Sequence, residues 1–383
     1  MLKMGKKALL VTRVSGFVPQ FEMNNVKILQ EMGYEVHYAA NYNTVVYGGD
    51  NSRLADTGIH RHSIHFCRSP FSLAVWRSYK ELVQLMLEEK FDLVHCHMPM
   101  TGILARKAAE KVRKMTGRRT AVLYTAHGFH FFKGAPFGNW LYYMPERHYA
   151  RYTDKLILIN QEDYERGSHF PVRGSVEFVP GVGMKPLPER DPSFHLREAY
   201  GIPQDHKIVV SVGELTEAKN QVTLIRAMDR FRSEKLTCII CGTGPLRDLL
   251  EQKIKEMYLQ EKVILAGYCT NIPDILRQAD FFAFPSQREG LSVALMEAMQ
   301  AGLPIMAADI RGNHDLIEDG KGGFLFTENL LEDYVQAMQY FMKYPEEAER
   351  MGEWNKKQVV NFSLEVVEKR MREIYSAAEG EKD

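Results

Sequence analysis

Short apolar runs alternate with amphipathic stretches from one end of the chain to the other, and this alternation restricts the fold more than any other feature. In the first half the runs are Ala8–Thr12, Glu35–Ala39, Leu93–Cys96, Ala121–Tyr124, Lys155–Asn160 and Val176–Val179. In the second half they are Lys207–Val212, Thr237–Cys241, Val263–Ala266, Phe281–Phe284 and Pro304–Ala307. Runs of this length between helical patterns predict parallel strands buried on both faces, which is an α/β fold. A chain of 383 residues is too long for one ordinary hydrophobic core, so two such domains are expected. The breaker-rich segment Pro180-Gly-Val-Gly-Met-Lys-Pro-Leu-Pro188 is the expected linker, separating residues 1–185 from residues 190–362. Ser363 to Ala377 reads as a further helix, and its pattern alone does not say which domain it joins.

Hydrophobic residues at 45% and charged residues at 26% give the balance of a soluble enzyme. No apolar run approaches the ~18 residues that cross a bilayer. The stretch Ala8-Leu-Leu-Val11 behind Lys3, Lys6 and Lys7 is too short for a secretory signal, so a cytoplasmic protein is expected. Cys238 and Cys241 form a C-x-x-C inside an apolar run, with no second pair at zinc spacing. Residues three apart in a strand point to opposite faces, so buried strand cysteines are expected rather than a metal site or a disulfide. The formal net charge of zero hides an asymmetry. Residues 1–185 hold 25 Lys and Arg against 16 Asp and Glu, and the remainder holds 24 against 33. The first half is therefore expected to face something anionic.

The most informative stretch is Pro285-Ser-Gln-Arg-Glu-Gly-Leu-Ser-Val-Ala-Leu-Met-Glu297. A strand ends at Pro285, a polar turn follows, and an apolar helix is expected to begin around Leu291 or Ser292. Gly290 lets the backbone turn, so free amides at the helix start can face an anion such as a diphosphate. Glu289 precedes that helix and Glu297 lies within it, up to ~12 Å away along a helical axis. That separation roughly matches the reach from the sugar to the ribose of a nucleotide-sugar, and carboxylates accept hydrogen bonds from hydroxyls at both ends. His127 follows the strand Ala121–Tyr124 and is expected at the carboxyl edge of a parallel sheet, where ligands bind. Gly242-Thr-Gly-Pro-Leu-Arg247 matches a dinucleotide G-x-G-x-x-G until its last position, where Arg stands, so no NAD site is expected.

These residues resemble the E-x7-E signature of the family 4 retaining glycosyltransferases, which have the GT-B fold. The resemblance continues through Ala298-Met-Gln-Ala-Gly-Leu-Pro304, then Ala307, Gly312, Asp315 and Gly320, and it includes Val212-Gly213, Lys219-Asn220 and Gly242-Thr-Gly244-Pro245. In the first half it covers Ser15-Gly16, Asp92-Leu-Val-His95 with His97, and Thr125-Ala-His127-Gly128. It implies two Rossmann-like domains with parallel sheets facing across a cleft, the acceptor held by the first and the donor by the second, and the terminal helix (residues 363–383) crossing back to the first. By this resemblance Glu289 holds the donor sugar hydroxyls and Glu297 the ribose. The amides of Gly290, Leu291 and Ser292, together with Lys219, stabilise the diphosphate. Gly16, Gly213 and Gly244 belong to the nucleotide-sugar site, and Tyr268 lies in a loop that contacts the base. His127 stands beside the donor sugar in a positioning and polar-stabilising role, while His95 and His97 lie toward the acceptor. One position departs from the family. An Arg usually follows the glycine after the first strand of the second domain, and Glu214 stands there instead. Either Arg288 or Arg13 substitutes, or Lys219 and the helix amides act alone.

No D-x-D is present, so neither a metal nor any other cofactor is expected. The string His127-Gly-Phe-His-Phe-Phe-Lys-Gly-Ala-Pro136 is similar to bacterial exopolysaccharide and capsule glycosyltransferases that act on lipid-linked acceptors. The expected reaction is transfer with retention from a UDP-sugar to an undecaprenyl-diphosphate-linked saccharide, with no nucleic acid as partner. The alternatives are a GT-B nucleotide-sugar epimerase or hydrolase, and a noncatalytic sugar-nucleotide-binding module. Ile103 to Arg119 carries Arg106, Lys107, Lys111, Arg113, Lys114, Arg118 and Arg119 beside an apolar stripe of Leu104, Ala108, Val112 and Met115. With the aromatics Phe129, Phe131, Phe132, Trp140, Tyr142 and Tyr143, this segment suits either plain helix packing or contact with an anionic membrane.

Overall fold

The computed structural model describes residues 5–47, 50–67 and 72–380, so Lys3 and residues 381–383 lie outside the described residues. The chain forms two compact units, Met1–Gly183 with Leu364–Asp383, and Met184–Ser363. The boundaries fall within the Pro180–Pro188 segment and at the start of the last helix.

The first unit is built on seven strands: β1 (Lys6–Val14), β2 (Tyr34–Asn41), β3 (His60–Ser63), β4 (Leu93–His97), β5 (Ala121–Ala126), β6 (Lys155–Leu158) and β7 (Ser175–Phe178). Their order is β3-β2-β1-β4-β5-β6-β7 and every pairing is parallel. Alternate residues feed two cores. Leu9, Val11, Val94, Cys96 and Val122 serve one face, and Ala8, Leu10, Leu93, Leu123 and Ile157 the other. The second face is closed by the last helix, Leu364–Gly380, through Val367, Met371, Ile374, Tyr375 and Ala378. Those positions recur at i, i+4, i+7, i+8 and i+11, the spacing of one helical stripe.

The second unit holds β8 (Lys207–Val212), β9 (Leu236–Cys241), β10 (Val263–Gly267), β11 (Phe281–Phe284), β12 (Ile305–Ala308) and β13 (Gly323–Phe326). The order is β10-β9-β8-β11-β12-β13, again wholly parallel. Cys238 and Cys241 are buried in β9 and feed cores on opposite faces of the sheet. Two strands escape the apolar-run criterion. β3 reads His-Arg-His-Ser, because an edge strand with no fully buried residue needs no apolar side chains. β13 is a four-residue edge strand entered through Gly323.

The helix Pro99–Thr116 corrects the reading of the basic segment. Leu104, Ala108 and Val112 are buried, but Met115 is 56% exposed and leaves the stripe. Arg106 is not on a charged face at all. It is fully buried, with its guanidinium 4.0 Å from the centre of the Tyr124 ring and 2.9 Å from Glu146 Oε2. Tyr124 donates its hydroxyl to the other Glu146 oxygen at 2.9 Å. Four of the remaining bases sit beside acids: Arg118 pairs with Asp92, while Arg113 and Lys114 share Glu110, and Arg119 shares Asp154, with Arg173. Lys107 lies over the rings of Trp76 and Tyr79. The net excess of the first half stands, since these acids are already in the count, but Arg106 contributes nothing to its surface.

A buried ion pair is costly to break on one side only. Glu146→Ala, which strands the Arg106 charge, is expected to destabilise the first unit by about 3–5 kcal/mol, whereas Arg106→Met combined with Glu146→Leu costs far less. Urea unfolding of the three proteins measures this, and equal losses in the single and double variants would show that the pair is not the controlling contact.

Candidate functional site

Strand order reverses between β1 and β4 in the first unit and between β8 and β11 in the second. A parallel sheet leaves a crevice at the carboxyl ends of its strands where the order reverses, because the two flanking loops run to opposite faces. Almost every residue singled out in the sequence lies in the loops at these edges.

In the second unit, β8 runs into Gly213 and a short turn, Glu217–Lys219. The Lys219 stem lies 3.5 Å from where a Gly213 Cβ would stand, and its ammonium sits 5.1 Å from the centre of the Phe284 ring of β11. Lys219 Nζ donates to Glu289 Oε1 at 2.6 Å, and both side chains are largely shielded from solvent. The loops are locked by backbone packed on backbone. A Cβ at Gly244 would stand 2.5 Å from the Leu215 carbonyl oxygen, and one at Gly312 would meet the Gly290 carbonyl oxygen at 1.9 Å. Gly312 also takes φ of +84°, so it satisfies a close approach and a left-handed turn at once.

The helix after this loop is Val293–Ala301, slightly later than expected, because Ser292 is its cap: the Ser292 hydroxyl oxygen accepts from Leu295 N at 3.4 Å. Among the described residues, the amides of Gly290, Leu291 and Ser292 donate no hydrogen bond within the protein. They lead into the positive end of the helix dipole, which suits an anion. The later start also shortens the helical ruler, since only the four steps from Val293 to Glu297 rise at 1.5 Å each, about 6 Å. Glu297 is half-buried with no hydrogen-bond partner among the described residues, and burial pushes its carboxyl up to about 7. Glu214 and Arg288 are exposed. Tyr268 is 79% exposed beyond β10, at the outer edge of the sheet and away from the Lys219–Glu289 pair. A cation that the sequence reading did not consider, Arg311, donates its Nε to the Glu289 carbonyl oxygen at 3.2 Å.

In the first unit, Gly16 follows β1 where a Cβ would stand 1.7 Å from the Val46 carbonyl oxygen. Phe17 then packs edge-on against His127, with ring centroids 5.1 Å apart. His127 Nε2 lies 3.2 Å from His97 Nδ1, and each nitrogen lies 3.6 Å from Glu22 Oε1. Glu22 carried no signal in the sequence, where it reads as an ordinary polar residue before a helix. In space it is 2% exposed, and burial raises its carboxyl to about 8 against the opposing hydrogen bond from Asn25. Burial also holds His127 down to about 4, His95 to about 3, and His97 well below the usual imidazole range. Donor atoms of Glu22, His95 and His97 come within 4.8 Å of one another, a spacing a metal ion could bridge. Both nitrogens of His95 are taken, however, by the Tyr375 and Thr125 hydroxyls at 2.8 Å each. Beside His127 opens a pocket of about 190 Å³, lined by Phe17, Tyr47, Phe129, His130, Tyr142 and Glu146.

Two wholly parallel α/β units, the second with a lysine–carboxylate pair ahead of a capped helix, are the arrangement of the GT-B glycosyltransferases. The chain belongs to glycosyltransferase family 4. The family model described as Glycosyltransferase Family 4 matches residues 24–181, and that described as Glycosyl transferases group 1 matches residues 193–358. EpsD of Bacillus subtilis (strain 168), provisionally named a glycosyltransferase, is 34% identical over 98% of this chain and 97% of its own length. The UDP-Gal:alpha-D-GlcNAc-diphosphoundecaprenol alpha-1,3-galactosyltransferase of Escherichia coli is 29% identical over 71% of this chain and 72% of its own. The crystal structure of Anabaena HepE in complex with UDP and glucose superposes with a TM-score of 0.77 at 19% identity, covering 97% of this chain and all (100%) of that one, a likeness of fold.

Glu297 gives a direct check on this geometry. Its carboxyl is expected to lose its proton near pH 7, against about 4.5 when exposed. The folded chain then pays a growing penalty as pH rises from about 4.5 to 7, because only the unfolded chain can ionise freely there. Carboxyl-carbon NMR of glutamate-labelled protein, with Glu297→Gln to assign the signal, measures it, and a midpoint near 4.5 would contradict the burial described.

Proposed function

We propose that the protein transfers a sugar, with retention of anomeric configuration, from a UDP-sugar to an undecaprenyl-diphosphate-linked saccharide in extracellular or capsular polysaccharide synthesis. The observation that carries the donor half is the Lys219–Glu289 pair, 2.6 Å long, at the head of the helix that bears Glu297. In this reading the diphosphate lies against the Gly290, Leu291 and Ser292 amides and draws on the Lys219 charge as the glycosidic bond breaks. An ammonium already fixed in place needs no rearrangement at that moment, which is where electrostatic catalysis is strongest. Glu289 accepts hydrogen bonds from the sugar, and Glu297, ionised above about pH 7, accepts them from the ribose. Arg311 joins Arg288 and Arg13 as a candidate for the cation missing at Glu214, and the Glu289 carbonyl already anchors it beside the pair. The acceptor half rests on the aromatic pocket beside His127 and on the Escherichia coli relative, whose name specifies a diphosphoundecaprenol acceptor. His127 positions and stabilises; no protein nucleophile is assigned.

Transfer from a panel of UDP-sugars, assayed with and without lipid-linked acceptor, separates this reading from an epimerase or hydrolase and from a binding module. Activity is expected to survive EDTA, since the diphosphate is held by amides and cations. Glu289→Gln and Lys219→Ala are each expected to lower turnover at least ~100-fold, the scale of losing a transition-state contact. Near-normal rates in both variants, or loss with EDTA restored by magnesium or manganese, would overturn the assignment.

The first unit is also proposed to meet an anionic membrane weakly, from the cytoplasmic side. Among the described residues, no helix is long and apolar enough to cross a bilayer. The excess of bases in the first half supplies the electrostatic attraction, and exposed Leu73, Trp76, Phe137, Leu141 and Met144 offer side chains for the interfacial region. Vesicle co-sedimentation should show binding that favours anionic lipid and falls with salt, and that drops on Phe137→Ser with Leu141→Ser. Equal binding to neutral and anionic vesicles, or none to either, rejects the proposal.

A further inference from the structure

We infer that Glu22 is a positioning residue for His127: its buried carboxyl group, acting with His97, fixes which nitrogen of the His127 ring carries the proton. The inference rests on the reading that His127 stands beside the reacting sugar.

The geometry is a three-membered network. His97 Nδ1 and His127 Nε2 are 3.2 Å apart, within hydrogen-bond reach, and which ring donates depends on its tautomer. Glu22 Oε1 faces both nitrogens at 3.6 Å, while Oε2 accepts from Asn25 Nδ2. Glu22 lies on the turn Val18–Glu22, which leads into the helix Met23–Glu31, and the histidines come from β4 and from the loop after β5. Every titratable group packed around this carboxyl is neutral or acidic. His95 and His97 face it from β4, His127 from the loop after β5, Tyr38 from β2, and Tyr375 from the last helix; Glu368 of that helix lines the small cavity beside it. No lysine or arginine pairs with Glu22 among the described residues.

With no cation to hold a negative charge, burial keeps the Glu22 proton in place up to about pH 8, and both imidazoles stay neutral. A protonated carboxyl offers a hydrogen where an ionised one offers only lone pairs. His127 Nε2 then faces two donors, the Glu22 O–H and the His97 Nδ1–H, and takes the accepting role. The single proton of the neutral His127 ring sits on Nδ1, leaving a donor for a substrate oxygen. His97 Nε2, which is buried and has no hydrogen-bond partner, is in this arrangement a bare nitrogen and not an orphaned N–H. Loss of the Glu22 proton reverses the pattern. The carboxylate then accepts from both rings: the Nδ1–H of His97 turns from His127 toward Glu22, the His127 proton is drawn to Nε2, and His127 Nδ1 turns from donor to acceptor. Atoms balance throughout: one proton leaves Glu22 for solvent, and one moves between the two nitrogens of His127.

The test uses the full-length chain. Nitrogen-15 histidine spectra, with the His127 signals assigned through His127→Gln, are expected to show the Nδ1–H tautomer at pH 7 and a shift toward Nε2–H as pH rises through about 8. Glu22→Gln, whose amide still donates but cannot ionise, should hold the first tautomer across the whole range. In steady-state transfer, wild-type kcat should fall above about pH 8 with the KM for donor unchanged, and Glu22→Gln should lose that alkaline fall. Glu22→Ala should lower kcat by roughly 10–100-fold, the cost typical of losing an orienting partner. A His127 tautomer that ignores both pH and Glu22→Gln overturns the inference, and the glutamine variant keeps it testable should the alanine variant fail to fold. If the tautomer responds but His127→Gln transfers sugar at the wild-type rate, the network stands and the placement of His127 at the reaction centre is what fails.

Discussion

Every strand in both sheets runs parallel to its neighbours, and the position of the chemistry follows from that constraint. Parallel strands need a crossover, so each strand delivers its carboxyl end to the same edge of the sheet. The β8 and β11 loops emerge side by side, and so do the β1, β4 and β5 loops. Residues 70 positions apart, such as Lys219 and Glu289, become hydrogen-bonded partners because the strands before them are neighbours. No local rule of sequence requires that contact; the sheet order imposes it.

What the sheet edge brings together, close backbone packing then holds still. At Gly16, Gly244 and Gly312 another chain segment occupies the space of a Cβ, and the loops cannot slide without unpacking. A site built on such loops is pre-organised at the level of the main chain, and the side chains need only correct rotamers. The arrangement also explains why the two histidines of β4 matter differently. His95 has both nitrogens saturated by hydroxyls and serves as a strut, whereas His97 keeps one nitrogen in contact with the more exposed His127.

The sequence was most legible where strands are buried on both faces. Ten of the runs read as apolar correspond to β1, β2, β4, β5, β6, β7, β8, β9, β10 and β11, and Pro304–Ala307 lies one residue off β12. It failed at β3, where an exposed edge strand leaves no apolar trace, and at β13, a four-residue edge strand entered through a glycine. The Glu289–Gly290–Ser292 loop was legible because a turn and a helix start have chemical signatures. Glu22 and Arg311 were not, since each acts through a neighbour that only the tertiary fold supplies. Arg106 misled for the same reason: a base on a helix reads as solvated until its partner, 40 residues on, is seen beneath it. Summing charge along a segment says nothing about which of those charges face acids.

The last helix, finally, ties the first unit to the end of the chain. Met184 N donates to the Phe362 carbonyl oxygen, and Gly183 packs on Leu364, so the second unit is spliced into the first as a loop whose two ends lie together. The face that holds Leu10, Leu123 and Ile157 waits for Met371, Ile374 and Tyr375. During synthesis the ribosome must make the whole second unit before that cover emerges, an interval of roughly 10–40 s at ordinary elongation rates. The second unit can mature in that time while the first remains open along one side. The first unit is thus the first begun and the last completed, and the face that the last helix covers is the one a nascent chain leaves open.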